Sequence, residues 1–181
     1  MSPPLDRIIV VGTSCAGKTT FARKLSAALG QEFVELDALH WSPNWQPKPE
    51  QQFRALAAEA AARTRWVVEG NYRGVREILW PRATTVVWLN YSFATVMFRA
   101  FRRTVRRAFS RERLWHGNQE SFRRSFFSRD SILMWVVTTF HRRQREYHEL
   151  RSSETHAHLS WVEFQRPSEA ERYLRFVQNA G

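Results

Sequence analysis

The sequence is short of several things that would define its class. It has one cysteine in 181 residues, so no internal disulfide can form, and the chain reads as suited to a reducing compartment. It has no long hydrophobic run: the longest toward the C-terminal half, "ILMWVV", is too short to cross a bilayer and sits between Arg129 and Arg142. The opening "MSPPLDRIIVV" lacks a basic segment followed by a long apolar stretch and a small-residue cleavage site, so it reads as carrying no signal peptide. A cytoplasmic protein with no membrane attachment is expected. His116, His141, His148, His156 and His158 fall at no spacing that, with one cysteine, makes a zinc site. No internal repeat and no linker divides the chain, so residues 1–181 are read as a single domain.

Acidic residues are also scarce. There are 17 Asp and Glu against 28 Lys and Arg, a formal net charge of +11. Residues 99–151 hold fourteen arginines and five acidic residues, so most of the excess sits in one region. Such a region attracts polyanions, either a nucleotide or a nucleic acid, unless it is only a solvated basic face.

What is present is an alternation of strand-like and helix-like segments. "RIIVV" (residues 7–11), "EFVEL" (32–36, with the strand ending at Asp37), "WVVEG" (66–70), "TTVVWLN" (84–90) and "HAHLSWVEF" (156–164) read as strands. Helical spacing predicts helices over 18–29, 50–63, 92–107, 130–150 and in "PSEAERYLRFV", where Pro167 and Ser168 start the last one. The proline-punctuated "HWSPNWQPKP" reads as a loop. Strands joined by helical crossovers imply an α/β fold: a parallel sheet covered by helices on both faces.

"GTSCAGKTT", residues 12–20, follows the first strand and opens the first helix. Gly12, Gly17, Lys18 and Thr19 match the phosphate-loop pattern without a departure. The chemistry needs these types. Glycines let backbone N–H groups turn inward toward phosphate oxygens, and the following helix adds the positive end of its dipole. Lys18 reaches the β- and γ-phosphates, Thr19 offers a hydroxyl to Mg²⁺, and Thr13, Ser14, Cys15, Ala16 and Thr20 complete the cradle. Cys15 lies inside the loop and reads either as an ordinary small loop side chain or as a reactive thiol whose modification would block nucleotide binding.

The chain resembles small P-loop kinases of the adenylate kinase and shikimate kinase class. More narrowly it is similar to the adenylate-kinase-related DNA topology modulation (FlaR-like) proteins. The likeness rests, in order, on "GTSCAGKTT", "ELDALHWSPNW", "WVVEGNY", "VVWLNY" and the arginine-rich "LWHGNQESF" region, and spans most of the chain. It implies a five-stranded parallel sheet of order 2-3-1-4-5 in a three-layer αβα sandwich. It also implies a helical, arginine-rich lid over about residues 108–128, and ATP with Mg²⁺. Arg99 and Arg103, four apart and so on one helical face, match the lid-proximal arginines of that class. Arg111 and Arg113 fall in the lid and Arg142 on the returning helix.

Ligands of such sheets sit beyond the carboxyl ends of the strands. Asp37 follows strand two and is the candidate to take a proton from an attacking hydroxyl or to hold magnesium. It gains weight because strand four ends in Asn90, where a carboxylate would resemble a Walker B group. His40 and Trp41, with Trp45, either stack on an acceptor or plug the sheet edge. Gly70, Asn71, Tyr72 and Arg73 either recognise a small acceptor or form a turn. The leading expectation is phosphoryl transfer from ATP to a small acceptor: a nucleoside monophosphate first, a hydroxylated metabolite second. The rival is a nucleic-acid-binding ATPase or regulator, using the basic region with Phe109, Trp115, Phe122, Phe126 and Phe127 as a polyanion surface.

Overall fold

The computed structural model describes residues 3–110 and 132–180. Five strands, β1 (Arg7–Gly12), β2 (Glu32–Glu35), β3 (Trp66–Glu69), β4 (Thr85–Leu89) and β5 (Ser160–Phe164), form one sheet in the order β2-β3-β1-β4-β5. Every pairing in it is parallel. This is the expected order. Seven helices accompany the sheet among the described residues: α1 (Lys18–Leu29), α2 (Leu36–His40), α3 (Glu50–Ala62), α4 (Arg76–Leu79), α5 (Phe93–Ser110), α6 (Ile132–Ser152) and α7 (Pro167–Ala180).

The sheet is covered on both faces, and its central strands are therefore apolar runs, broken only at their ends by Arg7, Gly12, Glu69 and Thr85. Side chains alternate between faces along a strand. Ile8, Val10, Val67, Val87 and Leu89 pack with Phe21 and Leu25 of α1, Val96 and Ala100 of α5, and Leu174 and Val177 of α7. Ile9, Val11, Val68, Val86 and Trp88 pack on the other side with Phe53 and Ala57 of α3 and Tyr147 of α6. Helix α6 serves both layers, since Val136 and Phe140 belong to the first.

Three segments differ from the sequence expectation: β5 begins at Ser160 rather than at 156, because Glu154–His156 forms a 3-10 turn, and two more lie after β2. β2 stops at Glu35, and "LDALH" winds into α2 instead of continuing extended. Pro43 prevents that helix from propagating. The expected loop that follows contains a two-residue antiparallel ribbon, Trp41–Ser42 against Gln46–Pro47, turned by Asn44 and Trp45 at φ 61° and 56°. The predicted lid over about 108–128, including Arg111 and Arg113, falls almost wholly outside the described residues.

Helix α6 is tied to the segment after β3 by a buried ion cluster. Glu146, only 7% exposed, accepts hydrogen bonds from Arg73 (2.9 Å), Arg76 (2.6 Å) and Arg143 (3.0 Å). Burial by itself would raise its pKa, but these three guanidinium groups hold it down at about 2. A carboxyl depressed from 4.5 stabilises the fold above that ordinary value, and the contribution is lost as pH falls toward about 2. Glu146→Gln is expected to cost about 3 kcal/mol at pH 7, because it leaves partly buried guanidiniums uncompensated. The melting-temperature gap to wild type should close between pH 4.5 and about 2, whereas a gap constant across that window would show the cluster to be energetically idle.

Candidate active site at the carboxyl edge of the sheet

All five parallel strands end at one edge, and the phosphate loop emerges from the central one. The loop is closed by a hydrogen bond from the Ala16 N–H to the Thr13 carbonyl, 3.2 Å. Cys15 sits at φ 65° and Gly17, the residue before α1, at φ 93°. No acidic residue occupies the first turn of α1, so its positive end is unopposed from within the helix. Lys18 Nζ bends back to the Thr13 carbonyl at 3.3 Å. The Thr13 hydroxyl is buried with no partner among the described residues, the state of a polar group whose partner is a ligand or water. Ser14 is half-buried and Thr20 exposed.

Helix α5 brings both arginines singled out in the sequence to this loop. Arg99 donates to the Ala16 carbonyl at 2.6 Å and lies over the Tyr91 ring. Its guanidinium is so close that a Cβ at Gly17 would come within 2.9 Å of it. One turn further, Arg103 reaches Cys15 Sγ at 3.8 Å.

The acidic groups hold what sequence reasoning missed. Glu69, the last residue of β3, pairs in register with Val10 of β1 and Glu35 of β2. It is 2% exposed and accepts a hydrogen bond from the Thr19 hydroxyl at 3.0 Å. Carboxylate oxygens of Glu35, Asp37 and Glu69 all lie within 4.8 Å of one another. Burial pushes the Glu69 carboxyl up to about 7, against the pull of Lys18, with Asp37 and Glu35 pushing in the same direction as burial. Hydroxyl and carboxylate oxygens are hard donors, so Thr19, Glu35, Asp37 and Glu69 form a set that fits Mg²⁺. The overlooked signal was a charged residue closing each of two strands, "EFVE" and "WVVE", one of them buried on both faces.

Asn90, where a Walker B carboxylate was sought, belongs to the frame. Its amide donates to Glu163 (2.8 Å), and its oxygen accepts from Gln144 (2.8 Å).

On the acceptor side, Tyr72 donates its hydroxyl to Asp37 Oδ1 at 2.5 Å. His40 is boxed by Trp41, Phe53 and Tyr72, with ring centroids 4.7–5.0 Å away. Its pKa is lowered by burial, which outweighs the attraction of Asp37. Trp45 meets the Trp41 ring edge-on, and Lys48 donates to the Trp41 carbonyl at 3.0 Å. Asn71 and Arg73 are engaged by protein groups: Asn71 with the Gly12 carbonyl and Tyr147, Arg73 with Glu146.

No family model matches the sequence, and no curated protein matches it. Solved structures do share its fold. A gluconokinase from Sinorhizobium meliloti 1021 is 20% identical and superposes over 99% of this chain and 94% of its own, with a TM-score of 0.56. A shikimate kinase from Bacteroides thetaiotaomicron is 15% identical over 97% of both chains, also with a TM-score of 0.56. A shikimate kinase from Acinetobacter baumannii in complex with shikimate is 20% identical over 98% of this chain and 96% of that one, with a TM-score of 0.54. The chain therefore has the P-loop kinase fold. Among the described residues no helix is long and apolar enough to cross a membrane.

Gly70 shows how tightly this edge is assembled. Its φ is +141°, and a Cβ there would lie 2.8 Å from the Cβ of Leu36, which opens the helix carrying Asp37. Gly70→Ala is expected to lower stability by about 2–3 kcal/mol through strain and overlap. Denaturant unfolding measures this, and an unchanged midpoint would mean that α2 moves aside freely.

Proposed function

We propose that this protein is a kinase that transfers the γ-phosphoryl group of ATP to a hydroxyl of a small hydroxylated metabolite. The observation that carries the reading is the juxtaposition of a complete phosphate loop with three carboxylates at its mouth, one of them, Asp37, also facing the aromatic side through Tyr72. The shared fold of gluconokinase and shikimate kinase structures supports a kinase in general. The acceptor-side segments "LDALHW" and "EGNY" resemble those of the DNA topology modulation (FlaR-like) proteins.

In this reading the loop from Gly12 to Thr20 holds the phosphates by backbone N–H groups, and Lys18 swings from the Thr13 carbonyl to the β- and γ-phosphates. Thr19, with Glu35 and Glu69, would hold Mg²⁺, which supplies charge neutralisation across the phosphates, leaving Asp37 to the acceptor. Asp37 has two oxygens, and Tyr72 occupies Oδ1. The carboxylate can therefore keep its orientation while accepting the acceptor's proton. The acceptor oxygen attacks the γ-phosphorus in line, the bond to the β-γ bridging oxygen breaks, and ADP leaves with that electron pair. Arg99 and Arg103 stabilise charge on the transferring group, the chief task in this chemistry. His40, Trp41, Gly70 and Tyr72 shape the acceptor pocket.

A hydroxylated metabolite is favoured over a nucleoside monophosphate. An acceptor bearing its own phosphate dianion would meet Glu35, Asp37 and Glu69, while the adjacent Arg73 and Arg76 are committed to Glu146. The nucleic-acid reading loses Arg99 and Arg103 to the phosphate loop.

The test is ADP production from Mg·ATP over a panel of sugars, sugar acids, hydroxy acids, nucleoside monophosphates and a 5′-hydroxyl oligonucleotide, with Lys18→Ala as the blank. Turnover should rise with one hydroxylated acceptor, and Asp37→Asn should lower kcat about a hundredfold or more. Turnover that ignores every acceptor but responds to DNA would replace this proposal with the regulatory one.

A further inference from the structure

Asn71 was expected, from the sequence, to contact an acceptor. In the fold its amide is spent twice on the protein. Nδ2 donates to the Gly12 carbonyl at 2.7 Å, and Oδ1 accepts the Tyr147 hydroxyl at 2.6 Å. Only one orientation of the amide satisfies both, because a carbonyl cannot accept from another oxygen acceptor. Tyr147 is 1% exposed, so its hydroxyl has no water as an alternative partner, while Asn71 is half-buried. The neighbouring residue, Glu146, grips Arg73 and Arg76 of the same segment. Helix α6 thus holds residues 71–76 at three points.

The Gly12 carbonyl belongs to a rigid, planar peptide unit whose other end is the Thr13 N–H. Fixing the carbonyl fixes the direction of that N–H. Gly12 is the first residue of the phosphate loop, and Lys18 rests on the very next carbonyl. The next side chain after Asn71, Tyr72, holds Asp37. Two consecutive residues therefore reach the donor loop and the acceptor carboxylate.

We propose that Asn71 is a positioning residue for the phosphate loop, oriented by Tyr147, so that the seating of helix α6 sets the nucleotide affinity of the loop. The inference rests on the kinase reading above, in that it requires the loop to bind Mg·ATP. Asn71 acts through Gly12 and touches no reacting atom, and Tyr147 acts through Asn71.

Calorimetric titration of Mg·ATP into the full-length protein tests this without knowledge of the acceptor. Asn71→Ala should weaken binding about tenfold, and Tyr147→Phe about threefold, the scale expected for one lost hydrogen bond. Because Tyr147 works only through Asn71, adding Tyr147→Phe to Asn71→Ala should weaken binding no further. Thermal melts run beside the titrations. A purely structural role would lower the melting temperature of each variant and leave nucleotide affinity untouched; that pattern overturns the proposal. Additive losses of affinity would overturn the part assigned to Tyr147. If Asn71→Ala fails to fold, Tyr147→Phe decides alone, with unchanged affinity overturning the proposal. Failure of the wild-type protein to bind Mg·ATP would overturn the kinase reading and this inference together, an outcome separate from tight wild-type binding with indifferent variants.

Discussion

A carboxyl group buried at the end of a central strand is costly unless something in the fold or in a ligand offsets its lost hydration. Glu69 is in that position, between β1 and β2 and beneath the start of α1. The protein offsets part of the cost with the Thr19 hydroxyl and the nearby positive charge of Lys18. It also makes matters worse, by packing Asp37 and Glu35 within 4.8 Å. This gathering of like charges at one point is what the proposed function assigns to Mg²⁺. The rest of the edge follows from it: the hydroxyl of the phosphate loop is fixed by a strand residue, and the acceptor-side aspartate is held in the same cluster.

The second organising element is helix α6. It contributes to both layers of the core and ends three polar chains at the site. Glu146 closes the arginine cluster, Tyr147 reaches the phosphate loop through Asn71, and Gln144 braces Asn90 at the end of β4. Polar networks of this kind contribute rigidity when every member is satisfied. Here they join segments 54 to 76 residues apart in sequence, and they place the frame of the site on one helix.

The parallel pairing and the phosphate loop were legible because each is written locally, buried strands as apolar runs and the loop as glycines and a lysine at fixed spacing, whereas the order of the sheet came from the family resemblance. The placement of Arg99 and Arg103 beside the loop was legible from helical spacing and the family resemblance together. Glu69 and Glu35 were not: the charged residue closing each strand was visible, but its importance comes from strand neighbours fixed only by the sheet order. Asn71 and Arg73 looked like recognition groups, since nothing near them in sequence names Tyr147 or Glu146 as partners. The short helix α2 was missed for the reverse reason. "EFVEL" alternates like a strand up to Glu35, and the chain turns helical only where Leu36 packs under Gly70.

The central claim is that the Glu69 carboxylate, with Thr19, marks the seat of a divalent cation serving a bound nucleotide. Manganese is a paramagnetic stand-in with the same preference for oxygen donors. The most direct measurement is a spin-resonance titration of Mn²⁺ into the protein–ADP complex, for the wild type and for Glu69→Gln. The account predicts that the substitution weakens Mn²⁺ binding about tenfold or more while the protein remains folded. Equal affinity in the two proteins would contradict it and leave Glu69 as a buried carboxyl with a structural role alone.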